Sequence, residues 1–76
     1  MKYSRNDRYL KALGNRIREL RVAKNLSQAD LAYSVNFEIS QISRIERGVT
    51  NTSISNLYEI SVALDIPLKK IVDFDL

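Results

Sequence analysis

Apolar residues recur along this chain at intervals of three and four, the period of helices that bury one face against a shared core. Leu10, Leu13, Ile17 and Leu20 set the first stripe and predict a helix over residues 7–24. Gly14 falls inside it. A helical glycine costs about 1 kcal/mol relative to alanine, so we read it as a point of close approach by another helix. Residues 1–6 are expected to fray. Ser27, with Asp30 three positions on, marks the start of a second helix. The hydroxyl can accept a free backbone N–H, and the carboxylate suits the positive end of the helix dipole. Leu31, Ala32 and Val35 form its inner face, Gln28 and Tyr33 turn outward, and Asn36 ends it at a residue that tolerates left-handed backbone. Beyond Phe37, Ile42 and Ile45 predict a third helix, stopped by Gly48. Residues 49–52 form a loop, after which Ser53 caps a fourth helix carrying Leu57, Ile60 and Leu64. Pro67 cannot continue that helix but can open a fifth, short one with Leu68, Ile71 and Val72, ending near Asp73.

The second and third helices are too short to be stable alone. Joined by a tight turn, they make sense as a crossed pair on a larger core, a helix-turn-helix over about residues 28–47. The expected architecture is all-α, five helices around one core, with residues 1–76 as a single domain.

Composition narrows the chemistry. The 76 residues include no cysteine and no histidine, which excludes disulfides, thiolate or imidazole metal sites and the usual nucleophile–base pairs. Hydrophobic residues at 45 % and charged ones at 28 % give an ordinary globular balance. No apolar run approaches the ~20 residues needed to span a bilayer, and no signal-peptide pattern is present, so a soluble cytoplasmic protein is expected. The net charge of +3 is unevenly spread. Residues 1–24 hold eight Lys or Arg against Asp7 and Glu19, whereas residues 25–47 net −1 and residues 48–76 net −2. A basic N-terminal third is consistent with a phosphate-facing side.

With these elements in place, the chain resembles the phage repressor and Cro-like (Xre) family, and within it the restriction–modification controller proteins. The matching residues are Leu26-Ser27-Gln28, Leu31-Ala32, Ile42-Ser43-Arg44-Ile45-Glu46 and Gly48. The likeness extends to Leu13-Gly14-Asn15-Arg16-Ile17-Arg18-Glu19-Leu20-Arg21 and to residues 57–66, covering roughly residues 8–73. The resemblance implies a compact five-helix, lambda-repressor-like DNA-binding domain. Its third helix would lie in the major groove with the helix N-terminal residues at the base edges.

Carried over by matching position, Ile39, Ser40 and Arg44 fall where relatives read bases, and Gln28 falls where a glutamine of the preceding helix assists them. Glu38 and Gln41 complete the candidate base-contacting set. Arg44 can bind guanine O6 and N7, Ile39 can touch a thymine methyl, Gln41 can pair with adenine, and Glu38 can accept from cytosine N4. Glu38 departs from the short hydroxyl residue common in relatives, and we read it as a carboxylate cap on the third helix. Relatives often carry Lys or Arg after the glycine, but here the loop reads Val49-Thr50-Asn51-Thr52. Phosphate contacts are therefore assigned to Ser27, Ser43, Thr50 and Asn51, with Arg47 supplying charge and Arg16 and Arg18 forming a basic flank. The family pattern also pairs Arg21 with Glu46 in a buried ion pair.

Leu68, Val72, Phe74 and Leu76 exceed what one small core should absorb, and they predict a homodimer interface, since exposed apolar patches are avoided in monomers. Tyr3, Tyr9, Tyr33 and Tyr58 are scattered and read as packing or interface residues rather than a stacking platform. The expected function is transcriptional regulation by sequence-specific binding of double-stranded DNA, as a homodimer on a short palindrome. The alternative is a protein-interaction module, antitoxin-like or antirepressor, that keeps the fold. No enzyme, cofactor or metal is expected.

Overall fold

Helix α1 (Asp7–Ala23) is the element on which the others are placed. In the computed structural model, which describes residues 6–76, it packs against α3 (Ile39–Arg47) and α5 (Leu68–Ile71). Helix α2 (Gln28–Val35) packs on α3 and on α4 (Ile54–Leu64), and α4 on α5. Every helix contributes at least one fully buried aliphatic side chain: Ile17, Leu31, Ile42, Ile60 with Leu64, and Ile71. These short helices are thus stable through a common core rather than through intrinsic propensity. The described residues contain these five helices and no strand.

Start and stop signals work as local chemistry. Ser53 Oγ accepts from the Asn56 N–H at 3.1 Å and begins α4. Asn6, expected to fray, instead caps α1 by accepting the Tyr9 N–H at 2.9 Å. Asn is among the strongest capping residues, and this one lies directly before the stripe. Residues 1–5, Tyr3 among them, lie outside the described residues. Asn25, Asn36 and Asp65 take left-handed backbone at φ of 60°, 59° and 56° and turn the chain after α1, α2 and α4.

The C-terminal segment departs from expectation. Val72 follows α5 as its cap residue, and Leu68 and Phe74 pack half-buried against the core. The Phe74 ring lies 5.1 Å from that of Tyr9 on α1. Arg8 Nη2 donates to the Leu76 carbonyl at 2.7 Å, and Arg16 Nε donates to the Lys70 carbonyl at 2.9 Å. The core does accommodate part of the apolar excess, because α1 extends far enough to offer Tyr9 as a partner. Of the four residues assigned to one interface, Val72 and Leu76 remain exposed.

Candidate nucleic-acid interface

The helix-turn-helix begins with a reciprocal cap. Ser27 Oγ accepts the Asp30 N–H at 2.9 Å, and Asp30 Oδ2 accepts the Ser27 N–H at 2.9 Å. The bond from the Ser27 backbone, reinforced by its hydroxyl, holds the Asp30 carboxyl below its ordinary value. Its stabilisation is therefore complete above the ordinary carboxylate pKa and is lost as pH falls through the lower folded value. At the far end Asn36 swings left-handed, and the Phe37 N–H donates to the Ala32 carbonyl at 2.9 Å. Phe37 is half-buried on the core and fixes where α3 starts.

Ile42 and Ile45 anchor α3, which leaves Ile39, Ser40 and Arg44 exposed and Gln41 and Ser43 half-buried. Ser40 and Arg44, one turn apart, share a face, with Ile39 beside them at 53 % exposure. A β-branched aliphatic that exposed, on a face otherwise polar, is available for apolar contact. Glu38 stands at the cap position, but its side chain makes no capping hydrogen bond. The expected carboxylate cap is therefore absent. Glutamate carries one more methylene than aspartate, which takes its oxygens past the first-turn amides that a short side chain reaches.

Behind α3 sits the buried ion pair. Arg21 Nε donates to Glu46 Oε2 at 2.6 Å and Arg21 Nη2 to Glu46 Oε1 at 3.0 Å. The bonds to Glu46 raise the Arg21 pKa further, against the opposing effect of burial. Arg21 Nη1 also donates to the Leu26 carbonyl at 2.7 Å, and Gln28 Nε2 to Glu46 Oε1 at 3.0 Å. One carboxylate thus ties α1, α2 and α3 together. Gln28, assigned from the sequence to assist base reading, is held by this network at the first position of α2.

A matching model of the helix-turn-helix family covers residues 17–71, more than half of the chain and all of the helix-turn-helix just described. The chain belongs to the helix-turn-helix family. Control protein C.BamHI of Bacillus amyloliquefaciens is 40 % identical to this helix-turn-helix protein over 62 residues, 80 % of this chain and 76 % of that one. Among solved structures, the restriction-modification controller protein C.AhdI from Aeromonas hydrophila is 40 % identical, with a TM-score of 0.80 over 82 % of this chain and 94 % of that one. The master regulator for biofilm formation SinR, solved in complex with DNA, is 35 % identical, with a TM-score of 0.75 over 80 % of this chain and 98 % of its own.

The remaining assignments separate spatially in this helix-turn-helix protein. Arg47, exposed, donates from Nε to Ser43 Oγ at 3.3 Å, so these two act as a unit. Asn51 lines a hollow with Asn6, Tyr9 and Ile54 near the start of α1, whereas Gln28, Glu46 and Arg47 line another beside the end of α3. Thr50 is half-buried in the connecting loop. Arg16 does not join the basic flank, because it is engaged with Lys70 on the α5 side. Arg18 does line the hollow at the end of α3, together with Lys11 and Asn15, which the sequence reading did not single out. Their spacing of four and three places them on one edge of α1, bordering the buried stripe, and that periodicity was a legible signal. Among the described residues no group of His, Cys, Asp and Glu is arranged to hold a metal, and no helix is long and apolar enough to cross a membrane.

Proposed function

We propose that this chain is a transcriptional regulator that binds double-stranded DNA as a homodimer on a short palindromic operator, with α3 in the major groove. The observation that carries the reading is the division of α3: Ile42 and Ile45 are locked in the core while Ile39, Ser40 and Arg44 stand free at the helix surface. Arg44 would read guanine through its guanidinium fork, Ile39 a thymine methyl, and Ser40, Gln41 and Glu38 neighbouring base edges, with Gln28 assisting from α2. Ser27, Ser43, Arg47, Thr50 and Asn51 would meet the phosphates. Family membership and the likeness to proteins named as controllers and as a DNA-bound regulator support this reading, and restriction–modification control is the specific role we favour.

Selection of bound sequences from random duplex DNA tests the proposal. Enrichment of a palindrome with half-site centres about one DNA turn apart, ~34 Å, is the expected result. On that operator Arg44→Ala should cost about 1–3 kcal/mol and relax preference at a single base position. No enrichment, or weak binding indifferent to salt, would reject DNA recognition and favour a protein-interaction role.

A further inference from the structure

Not all of the positive charge on α1 is alike. Arg8 and Arg16 are engaged with backbone carbonyls of the C-terminal segment. Lys11 and Arg18 are exposed and, among the described residues, have neither a hydrogen bond nor an ion pair. With Asn15 they line the hollow that Gln28, Glu46 and Arg47 close from the side of α2 and α3. Two close approaches with no side chain between them hold this edge against the end of α3. A Cβ on Gly14 would lie 2.5 Å from the Ile45 carbonyl oxygen and closer still to that of Glu46, and one on Gly48 would lie 2.6 Å from the Lys11 Cα. The position of Lys11 relative to the reading helix is therefore set by backbone.

We propose that this hollow receives a backbone phosphate of the bound duplex, with Lys11 and Arg18 as its charge, Asn15 as a neutral donor, and α1 as the main electrostatic anchor. The inference rests on the DNA-binding reading and adds residues to it. The carboxylate in the hollow does not oppose an anion, because Arg21 and Gln28 already bond both oxygens of Glu46. The cationic groups that line the hollow and do not pair with Glu46 are the Lys11 ammonium, the Arg18 guanidinium and that of Arg47, whose Nε alone is engaged, with Ser43. Such a set suits a singly charged phosphodiester better than any neutral ligand. The location fits, since Arg47 belongs both to the hollow and to the last turn of α3. A strand flanking the groove that holds α3 would pass along this edge. The need is plain as well, because the loop after Gly48 contains no cation.

The test is a salt series on the full chain, comparing wild type with a Lys11→Gln/Arg18→Gln double variant on the selected operator and on random duplex of equal length. The plot of log affinity against log salt should become shallower by about 0.9 for each phosphate that a protomer no longer neutralises. Affinity should fall by the same factor on both duplexes, the selected motif should be unchanged, and melting should match wild type. Lys11→Arg with Arg18→Lys should restore the wild-type slope. An unchanged slope in the double variant, with wild type binding normally, overturns this proposal alone, whereas wild type that binds no duplex overturns the DNA-binding reading with it. A variant that loses discrimination between operator and random DNA would make these residues base readers and would also overturn it. Titration with inorganic phosphate distinguishes a free-anion site: tight binding at Asn15 and Arg18, combined with DNA affinity that ignores the double variant, counts against a duplex phosphate.

Discussion

Arg21 closes two helix junctions with a single guanidinium. Its Nε and Nη2 grip Glu46 near the end of α3, while Nη1 holds the Leu26 carbonyl just ahead of the α2 cap. Both charged side chains are nearly inaccessible, so removing one strands the other in a poorly solvated place. Arg21→Ala should destabilise the fold by about 3–5 kcal/mol. For a domain of this size, thermal unfolding should shift by ~4–8 °C per kcal/mol. Arg21→Lys should recover only part of the loss, because a single ammonium cannot make the fork and reach Leu26 together. A circular-dichroism melt of Arg21→Ala that superimposes on wild type would show the pair to be dispensable. This pair was legible from resemblance, but the inclusion of Gln28 was not, since nothing in spacing alone tells that an outward glutamine bends back onto a carboxylate eighteen positions away.

At the level of helices, the close packing of α1 against the end of α3 sets how the exposed face of α3 is presented. Two effects compete at Gly14. Alanine there would favour the helix by about 1 kcal/mol, but its methyl would strike the carbonyl oxygens of Ile45 and Glu46. Those atoms are backbone within a hydrogen-bonded helix and cannot rotate aside, so the collision should win. Gly14→Ala is expected to lose a net ~1–3 kcal/mol of stability. It should also weaken operator binding by more than the folding loss explains, as α3 is pushed from its seat. Melting and operator affinity measured on the same variant check this, and a variant more stable than wild type would show that the helices can separate without strain. The boundaries of α2, α3 and α4 were readable because caps and left-handed turns depend on near neighbours. Glu38 was misjudged for a related reason: its position was right, but the reach of its side chain was not.

On the scale of the whole molecule, the apolar surface lies partly away from where the C-terminal residues suggested. Tyr58 and Val62, one turn apart on α4, are more than half exposed, and with Leu68 and Pro67 they line one shallow surface hollow. Val72 is exposed near the end of α5. We expect a two-fold contact across Tyr58, Val62 and Leu68, self-complementary as such interfaces are. Light scattering over a concentration series should show a dimer whose dissociation is raised at least ~10-fold by Val62→Glu, a loss of about 1.4 kcal/mol. Deleting residues 74–76 should instead lower the melting temperature, since Phe74 packs on its own chain at Tyr9. Wild type that stays monomeric at high micromolar concentration, or a dimer indifferent to Val62→Glu, would place the interface elsewhere.

Helix number, the two caps built by Ser27 and Ser53, the left-handed Asn36 and the inward set from Leu13 to Ile71 were determined by the sequence itself. Each depends on periodicity or on hydrogen bonds within a few residues, and such information survives in one dimension. Only the tertiary structure decided how the surface charges divide. Arg8 and Arg16 turn to the C-terminal carbonyls, whereas Lys11 and Arg18 are left free beside α3. It likewise decided that Phe74 returns to Tyr9 and that Gln28 joins Glu46. Long flexible side chains carry no periodic signature of their partners, and those partners come from elements brought together only when the core closes.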